Sequence, residues 1–326
     1  MQHENVFISL VIPAFKEEDV IMLTLNEATR VLETITQDYE IVAVDDGSTD
    51  MTFTRVMEAH QANHRIRGLK FSRNFGKEAA MLAGMARARG QVVVTMDGDL
   101  QHPPGLIPEM VEKWREGAQI VHGVKQTRQY GGLFHRTSAR LFYGLFSKIA
   151  GFKINNSSDF KLLDAKIASL LVRDFPEQQR FLRGLSCWVG YRQESVAFQV
   201  SERPVGESRW GLSALFRYGW NSLTSYTSLP LQLVPFMGVI MLLISVILGT
   251  EALVSRLRGE SITGFATLEI TMLFSGSMIM IGLGIVGQYL ARVYDELKKR
   301  PTFLVADEVG FEPSTPAASN QNGVIR

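Results

Sequence analysis

The chain has 326 residues, 46% of them hydrophobic, with 34 Lys+Arg against 33 Asp+Glu and a net charge of +1. That length suits one large domain or two ordinary ones, and the charge balance excludes a global field for polyanions, so nucleic acid is set aside as a partner. A single cysteine, Cys187, excludes an intrachain disulfide and reads as a packed thiol.

Residues 1–5 are polar and lead straight into an apolar run, so they do not read as a signal peptide, and any catalytic part is expected in the cytosol. Residues 6–12 read as a first strand ending at Pro13, followed by the loop Ala14-Phe15-Lys16-Glu17-Glu18-Asp19 and a helix over residues 20–36. A short strand at 40–44 ends in Asp45-Asp46-Gly47-Ser48-Thr49-Asp50, and a helix over 51–63 leads to an apolar stretch at 66–71. Asn74-Phe75-Gly76-Lys77-Glu78 opens a helix running to residue 89, and the β-branched run at 91–96 is a further strand. Strand and helix alternating at this spacing predict a doubly wound α/β domain with a largely parallel sheet.

The run at 91–96 ends in Asp97-Gly98-Asp99-Leu100-Gln101-His102-Pro103-Pro104. Taken alone, Asp-Gly here is a turn, and the paired prolines stop a strand and start a helix. Placement at a strand's carboxyl end adds meaning, because ligands of open α/β sheets bind there. Two carboxylates one residue apart can share a hard divalent cation that takes its other ligands from phosphate and water. The strand ending in Asp45 and Asp46 should open on the same crevice.

After Pro108 a helix runs to Gly117, and a strand follows at 119–124. Residues 125–148 are basic and aromatic, with Lys125, Arg136 and Arg140 among Phe134, Phe142, Tyr143 and Phe146. This pattern fits a solvated amphipathic helix, or an anion site beside a membrane-facing apolar face. Residues 155–164 read as a polar loop entering a strand, 178–184 as the start of a helix and 194–200 as a strand. Residues 202–210, with Arg203, Ser208 and Arg209, form a charged, glycine-containing loop.

Composition shifts near Trp210. Residues 210–228 are aromatic and amphipathic, as suits a membrane interface. Residues 229–254 and 267–290 are almost wholly apolar, and each exceeds the ~20 residues that cross a bilayer. Gly276, Gly282, Gly284 and Gly287 allow close helix approach, or are ordinary membrane-helix glycines. Basic residues on both outer flanks put those flanks in the cytosol and the short loop outside, although that loop carries Arg256 and Arg258. The expected organisation is a cytosolic domain at 1–209, an interfacial region at 210–228, a transmembrane hairpin at 229–300 and a cytosolic tail at 301–326. Pro, Ser and Asn enrichment marks that tail as disordered from about Glu308.

The segments Val11-Ile12-Pro13-Ala14-Phe15-Lys16-Glu17-Glu18, Val44 to Asp50, Asn74 to Glu78, Asp97 to Pro104, Ser158-Asp159-Phe160-Lys161-Leu162 and Gly287-Gln288-Tyr289-Leu290-Ala291-Arg292-Val293-Tyr294 occur in this order. Together they resemble the family 2 glycosyltransferases of GT-A fold, and within them the polyprenyl-phosphate branch that includes dolichol-phosphate mannose synthase and bactoprenol glucosyltransferases. The resemblance spans residues 6–301 and implies a Rossmann-like GT-A domain followed by a two-helix transmembrane hairpin. It implies nucleotide binding by Pro13, Phe15, Glu17, Asp46 and Asp97. It implies a Mg²⁺ or Mn²⁺ site at Asp97, Asp99 and Gln101, with Asp99 and Asp159 catalytic. Arg203, Ser208 and Arg209 fall in the loop that closes over the donor diphosphate, and Lys125, Arg136 and Arg140 fall where relatives hold the lipid phosphate. Lys16 departs from a family Asn, and Lys125 from a common arginine that alone would grip phosphate bidentately.

The implied reaction is inverting transfer of a hexose from a nucleotide-diphosphate sugar, UDP-glucose first and GDP-mannose or another UDP-sugar behind it, to undecaprenyl or dolichyl phosphate. A metal neutralises the leaving diphosphate, and the lipid phosphate is an anionic nucleophile that needs little help from a base. Expected partners are the nucleotide sugar, the polyprenyl phosphate, the bilayer, a second copy through the transmembrane helices and a downstream flippase. A processive polysaccharide synthase usually carries Gln-x-x-Arg-Trp, which Gln178-Gln179-Arg180-Phe181 does not match, and two spans are few for a polymer channel. A non-enzymatic membrane scaffold would not need Asp97, Asp99, Gln101 and Asp159.

Overall fold

The computed structural model describes residues 6–99, 101–125, 157–175, 177, 180–198, 229–258 and 265–312. The chain divides into two compact units, Met1–Ser208 with Lys299–Arg326, and Arg209–Lys298. The interfacial region expected at 210–228 lies outside the described residues, as do Gln178 and Gln179.

The first unit is built on one sheet. Its strands are β1 (Ile8–Ala14), β2 (Tyr39–Asp45), β3 (Ile66–Phe71), β4 (Val92–Thr95), β5 (Ile120–Lys125), β6 (Ser157–Asp164), β7 (Gln193–Phe198) and β8 (Val305–Val309). They lie in the order β7-β5-β6-β4-β1-β2-β3-β8. β6 and β8 run antiparallel to their neighbours, and the remaining pairs are parallel. β1, β2 and β4 are buried along their whole length, which is why they read as unbroken apolar runs rather than alternating ones.

Helices cover the sheet. α1 (Ile21–Ile35) buries Ile21, Leu25, Ala28 and Leu32, a stripe at helical spacing. α2 (Thr52–Ala62), α3 (Lys77–Arg87) and α4 (Ile107–Arg115) follow β2, β3 and β4, the last through a 3-10 turn at Pro104–Leu106. α5 (Ala165–Arg173) starts directly from β6, and its first turn is capped by the Asp164 carboxylate accepting from Lys166 N–H. α6 (Leu182–Trp188) precedes β7. The chain order reverses at β1, which pairs with β2 on one side and β4 on the other. A switch point of this kind leaves a crevice beyond the strand ends.

Two expectations are corrected here. Ser158 and Asp159 lie within β6, not in a loop leading to it. β6 is inserted antiparallel between β4 and β5, so its beginning sits beside the end of β4, with Thr95 opposite Lys161. The second correction concerns the tail. The first unit does not stop at residue 209, and the tail is not free at Glu308, because Val305–Val309 pairs antiparallel with β3, with Leu69 opposite Glu308. Arg87 ion-pairs with Glu308 at 3.1 Å, and Arg67 donates to Gly310 O at 3.1 Å while stacking over Phe311 at 3.9 Å.

Near the amino end of β2, Glu40 is buried at 1% exposure. It accepts from Ser9 Oγ at 2.7 Å and from Arg89 N–H at 2.7 Å, and it is ion-paired with buried Arg67.

The second unit contains α7 (Leu229–Leu257) and α8 (Phe265–Leu297). Their apolar stretches, Leu231–Ser255 of 25 residues and Ile270–Leu297 of 28, are long enough to cross a membrane. Of the four glycines singled out in α8, Gly282 faces the partner helix, where a Cβ would stand 3.1 Å from Val234 Cγ1. The positions of Gly276, Gly284 and Gly287 meet nothing within 4 Å.

Glu40→Ala would strand the Arg67 guanidinium in the interior. A cost of about 3–5 kcal/mol is expected for breaking a buried pair from one side. Urea denaturation of the detergent-solubilised protein, followed by tryptophan fluorescence, measures it; a loss under ~1 kcal/mol would place the pair among weak surface contacts.

Candidate active site

The loops after β1 and β2 are tied together. Ser48 Oγ accepts from Lys16 N–H at 2.9 Å, and Thr52 Oγ1 accepts from Glu17 N–H at 2.9 Å. Asp45 Oδ1 accepts from Ser48 N–H at 2.9 Å, closing a turn through Gly47 at φ 70°. A Cβ on Gly47 would come within 2.3 Å of the Arg73 carbonyl carbon, so only glycine fits. Lys16 itself sits at φ 57°, a left-handed conformation that asparagine adopts more readily than lysine. This gives the departure from the family residue a physical meaning.

The expected nucleotide residues separate into two groups. Phe15 is 41% exposed at the crevice end of β1, with the Lys16 ammonium over its ring 5.5 Å from the centroid. Pro13 is buried within β1 opposite Val44. Asp46 is buried as well, and its carboxylate accepts from Phe75 N–H at 2.7 Å and Gly76 N–H at 2.9 Å. Burial pushes the Asp46 carboxyl up, and those two N–H groups pull it back. Asp46 therefore shapes the loop that starts α3.

That loop delivers Lys77 to the centre of the site. Its Nζ stands 2.5 Å from Asp97 Oδ1 and 2.7 Å from Asp159 Oδ2. Asp97 and Asp99 follow β4 on a turn held by Thr24 Oγ1, which donates to Gly98 O at 2.7 Å. Asp99 Oδ1 accepts from Gln101 N–H at 3.1 Å, and buried His102 accepts from Asp97 N–H through Nδ1 at 3.3 Å. The imidazole is stacked on Phe160, with ring centroids 5.3 Å apart.

Asp159 is held on several sides. Thr95 Oγ1 donates to its carbonyl at 2.6 Å, and Arg183 contacts its carboxylate through Nη2 at 3.0 Å and Nε at 3.3 Å. Burial would raise the Asp159 carboxyl, but Lys77, Arg183 and Lys161 overcome it and hold the group well below the usual carboxylate range. Behind it Lys161, 3% exposed, donates to Ser186 Oγ at 3.0 Å, and burial lowers its ammonium. Burial, and then the charge of Asp159, push Glu78 up to about 7, while Leu182 N–H donates to it at 3.2 Å.

The structure thus brings Asp97, Asp99 and Asp159 to one edge of the sheet, and Lys125 ends β5 at the same edge. Arg136, Arg140, Arg203, Ser208 and Arg209 lie outside the described residues. Lys77, Glu78, Lys161 and Arg183 carry much of the site's electrostatics and were not assigned from sequence. Their signal was available for Lys161, since a strand with Asp159 and Lys161 on one face among buried neighbours demands paired charges. Among the described residues no cluster of three or more His, Cys, Asp or Glu side chains could hold a metal. The Asp97 and Asp99 carboxylates nonetheless supply hard oxygens suited to a divalent ion that is completed by phosphate and water. Lys77 on Asp97 Oδ1 shows that this oxygen already accepts a cation.

Glu78 predicts a pH effect on stability. Its folded value of about 7 lies above the ordinary 4.5, so the native state binds more protons between these values and loses stability as pH rises through the window. Asp159 titrates at more acid pH and does not contribute there. Buried His102 and His122, both held below the ordinary imidazole value, act in the opposite sense across this window, so the test is a difference: in thermal melts from pH 4.5 to 7, Glu78→Gln should gain stability relative to wild type as pH rises. Parallel pH profiles in the two proteins would disprove the assignment.

The sequence profile described as glycosyl transferase family 2 matches residues 9–174. An uncharacterized glycosyltransferase of Synechocystis sp. is 38% identical over 307 residues, covering 94% of this chain and 96% of the relative. The bactoprenol glucosyl transferase of Shigella phage SfV is 33% identical over 303 residues, covering 92% of this chain and 98% of the relative. Glucosyl-3-phosphoglycerate synthase from Mycobacterium tuberculosis, solved with Mn²⁺, UDP and phosphoglyceric acid, aligns with a TM-score of 0.47 and 18% identity over 66% of this chain and 75% of that one. The acidic crevice on a GT-A sheet and this near full-length similarity lead to one conclusion: the chain belongs to glycosyl transferase family 2, and it is a glycosyltransferase.

Proposed function

We propose that the enzyme transfers a hexose, glucose from UDP-glucose in the first instance, to the phosphate of a membrane polyprenol, with inversion at the anomeric carbon. The observation that carries the reading is the meeting of Asp97 and Asp159 on one ammonium at the crevice end of β4 and β6, with Asp99 two residues along the same turn. The polyprenyl acceptor is supported by the similarity to bactoprenol glucosyl transferases and by the two apolar helices.

The same features support a topology. β8 follows α8 in the chain and β3 precedes α7, yet the two strands are hydrogen-bonded neighbours. Both flanks of the helical pair therefore belong on one side of any membrane the helices cross. With the basic flanks counted as cytosolic, that side is the cytosol.

Asp97 and Asp99 would hold a Mg²⁺ or Mn²⁺ ion, which when bound neutralises the departing diphosphate as a Lewis acid. Phe15 offers an aromatic face to the base of the donor. Asp159, kept ionised by Lys77, Arg183 and Lys161, is too weak a base to take a proton from a lipid phosphate whose second pKa is about 6. Its negative charge instead orients the sugar and stabilises positive charge developing at the anomeric carbon. Arg183 holds the carboxylate in one orientation. A phosphate oxygen ionised at neutral pH attacks directly, and a single in-line displacement inverts the centre.

Two measurements test this. Asp99→Ala should abolish formation of lipid-linked sugar from radiolabelled UDP-glucose and membrane polyprenyl phosphate while the protein stays folded; full activity in the mutant, or in wild type with EDTA, would remove the metal assignment. Asp159→Asn should lower kcat at least ~100-fold, in the range of one lost preorganised electrostatic group, with no recovery between about pH 6 and 8. Recovery to wild-type rate at the alkaline end would reinstate a general-base role.

A further inference from the structure

Lys77 is the least explained charge in the site. It is the first residue of α3, and two features aim it. Gly76, at φ 100°, turns the chain into the helix. The N–H groups of Phe75 and Gly76 are held by the buried Asp46 carboxylate. The ammonium then lands between a carboxylate that follows β4 and one on β6, at 2.5 and 2.7 Å. Burial alone would lower this ammonium, but Asp97 and then Asp159 outweigh it and raise it above the ordinary lysine value. Arg183 already pairs with Asp159, so Lys77 is not needed to neutralise that group alone. Among the described residues no arginine pairs with Asp97: besides Lys77, its ionic neighbour there is His102 at 3.5 Å, whose imidazole burial keeps toward the neutral form.

We propose that Lys77 is a built-in counter-ion that competes with the donor's divalent metal for Asp97, and that it remains on Asp159 when the metal is bound. In the donor-free enzyme it neutralises two carboxylates that would otherwise repel each other across the crevice. On donor loading its hold on Asp97 is given up, and its charge is concentrated on the acceptor side, where an anionic phosphate must approach the anionic Asp159. Lys77 thereby keeps metal affinity low until a nucleotide diphosphate supplies the missing ligands. The inference rests on the reading of Asp97 and Asp99 as the metal pair.

The test is Mn²⁺ binding to the full-length, detergent-solubilised protein without donor, read by electron paramagnetic resonance, alongside transfer activity. Lys77→Gln and Lys77→Met should bind Mn²⁺ about tenfold more tightly than wild type, the factor expected if the competing contact is formed about nine-tenths of the time. Both should lose transfer activity, and Lys77→Arg should keep the wild-type Mn²⁺ affinity. Tighter binding cannot arise from a damaged fold, so the opposite signs of affinity and turnover separate this role from a structural one. Unchanged or weaker Mn²⁺ binding in the neutral variants would overturn the proposal, as would an arginine variant that binds like them. If Mn²⁺ binding is lost in Asp99→Ala while it ignores Lys77, the metal reading survives and the Lys77 proposal falls. If none of the proteins binds Mn²⁺ with or without UDP, both fall.

Discussion

The site depends on a balance of charge at one point of the sheet. Asp159 and Asp97 arrive from neighbouring strands, and the arrangement is tolerable because cations meet them: Lys77 between the two, Arg183 on the outer side of Asp159, and Lys161 behind it. Carboxylates taken this far from water survive as ions only when paired and hydrogen-bonded. Asp159 meets both conditions, and its backbone carbonyl is pinned by Thr95 as well.

Support for these charges comes from hydrogen bonds to the loops that carry them. Asp46 spends its carboxylate on two backbone N–H groups, Asp45 on the turn through Gly47, and Thr24 on the turn between Asp97 and Asp99. His102 packs between Phe160 and Phe198 while accepting from Asp97 N–H. Aromatic burial and acidic geometry are thus joined in one imidazole. Preorganisation of this kind places the supporting contacts on the frame, so that the reacting groups need not rearrange when substrate arrives.

Much of this was legible from the chain. The apolar runs of β1, β2 and β4 announced a buried parallel sheet, and the strand-end aspartates announced the crevice. Local periodicity could not reveal that β6 runs antiparallel, because a strand's direction is set by partners elsewhere in the chain. The same holds for β8, whose Glu308 meets Arg87 across 221 residues and whose neighbour Gly310 meets Arg67 across 243. A short segment with two adjacent acidic residues gives no sign of such a partner, and its Pro- and Ser-rich continuation pointed the other way. Lys77 stayed unassigned because its role exists only where α3, β4 and β6 converge.

The return of the chain in β8 also bears on synthesis. Chains emerge from the ribosome in sequence order, about 5–20 residues per second, and domains generally fold as units. Here the sheet of the first unit lacks its last strand until both apolar helices have been made and residues 305–309 have followed them. Until then β3 carries an open edge, the kind of edge that recruits foreign strands. Completion of the sheet is therefore scheduled after the two helices, so a nascent chain stalled within them would leave the edge of β3 unpaired.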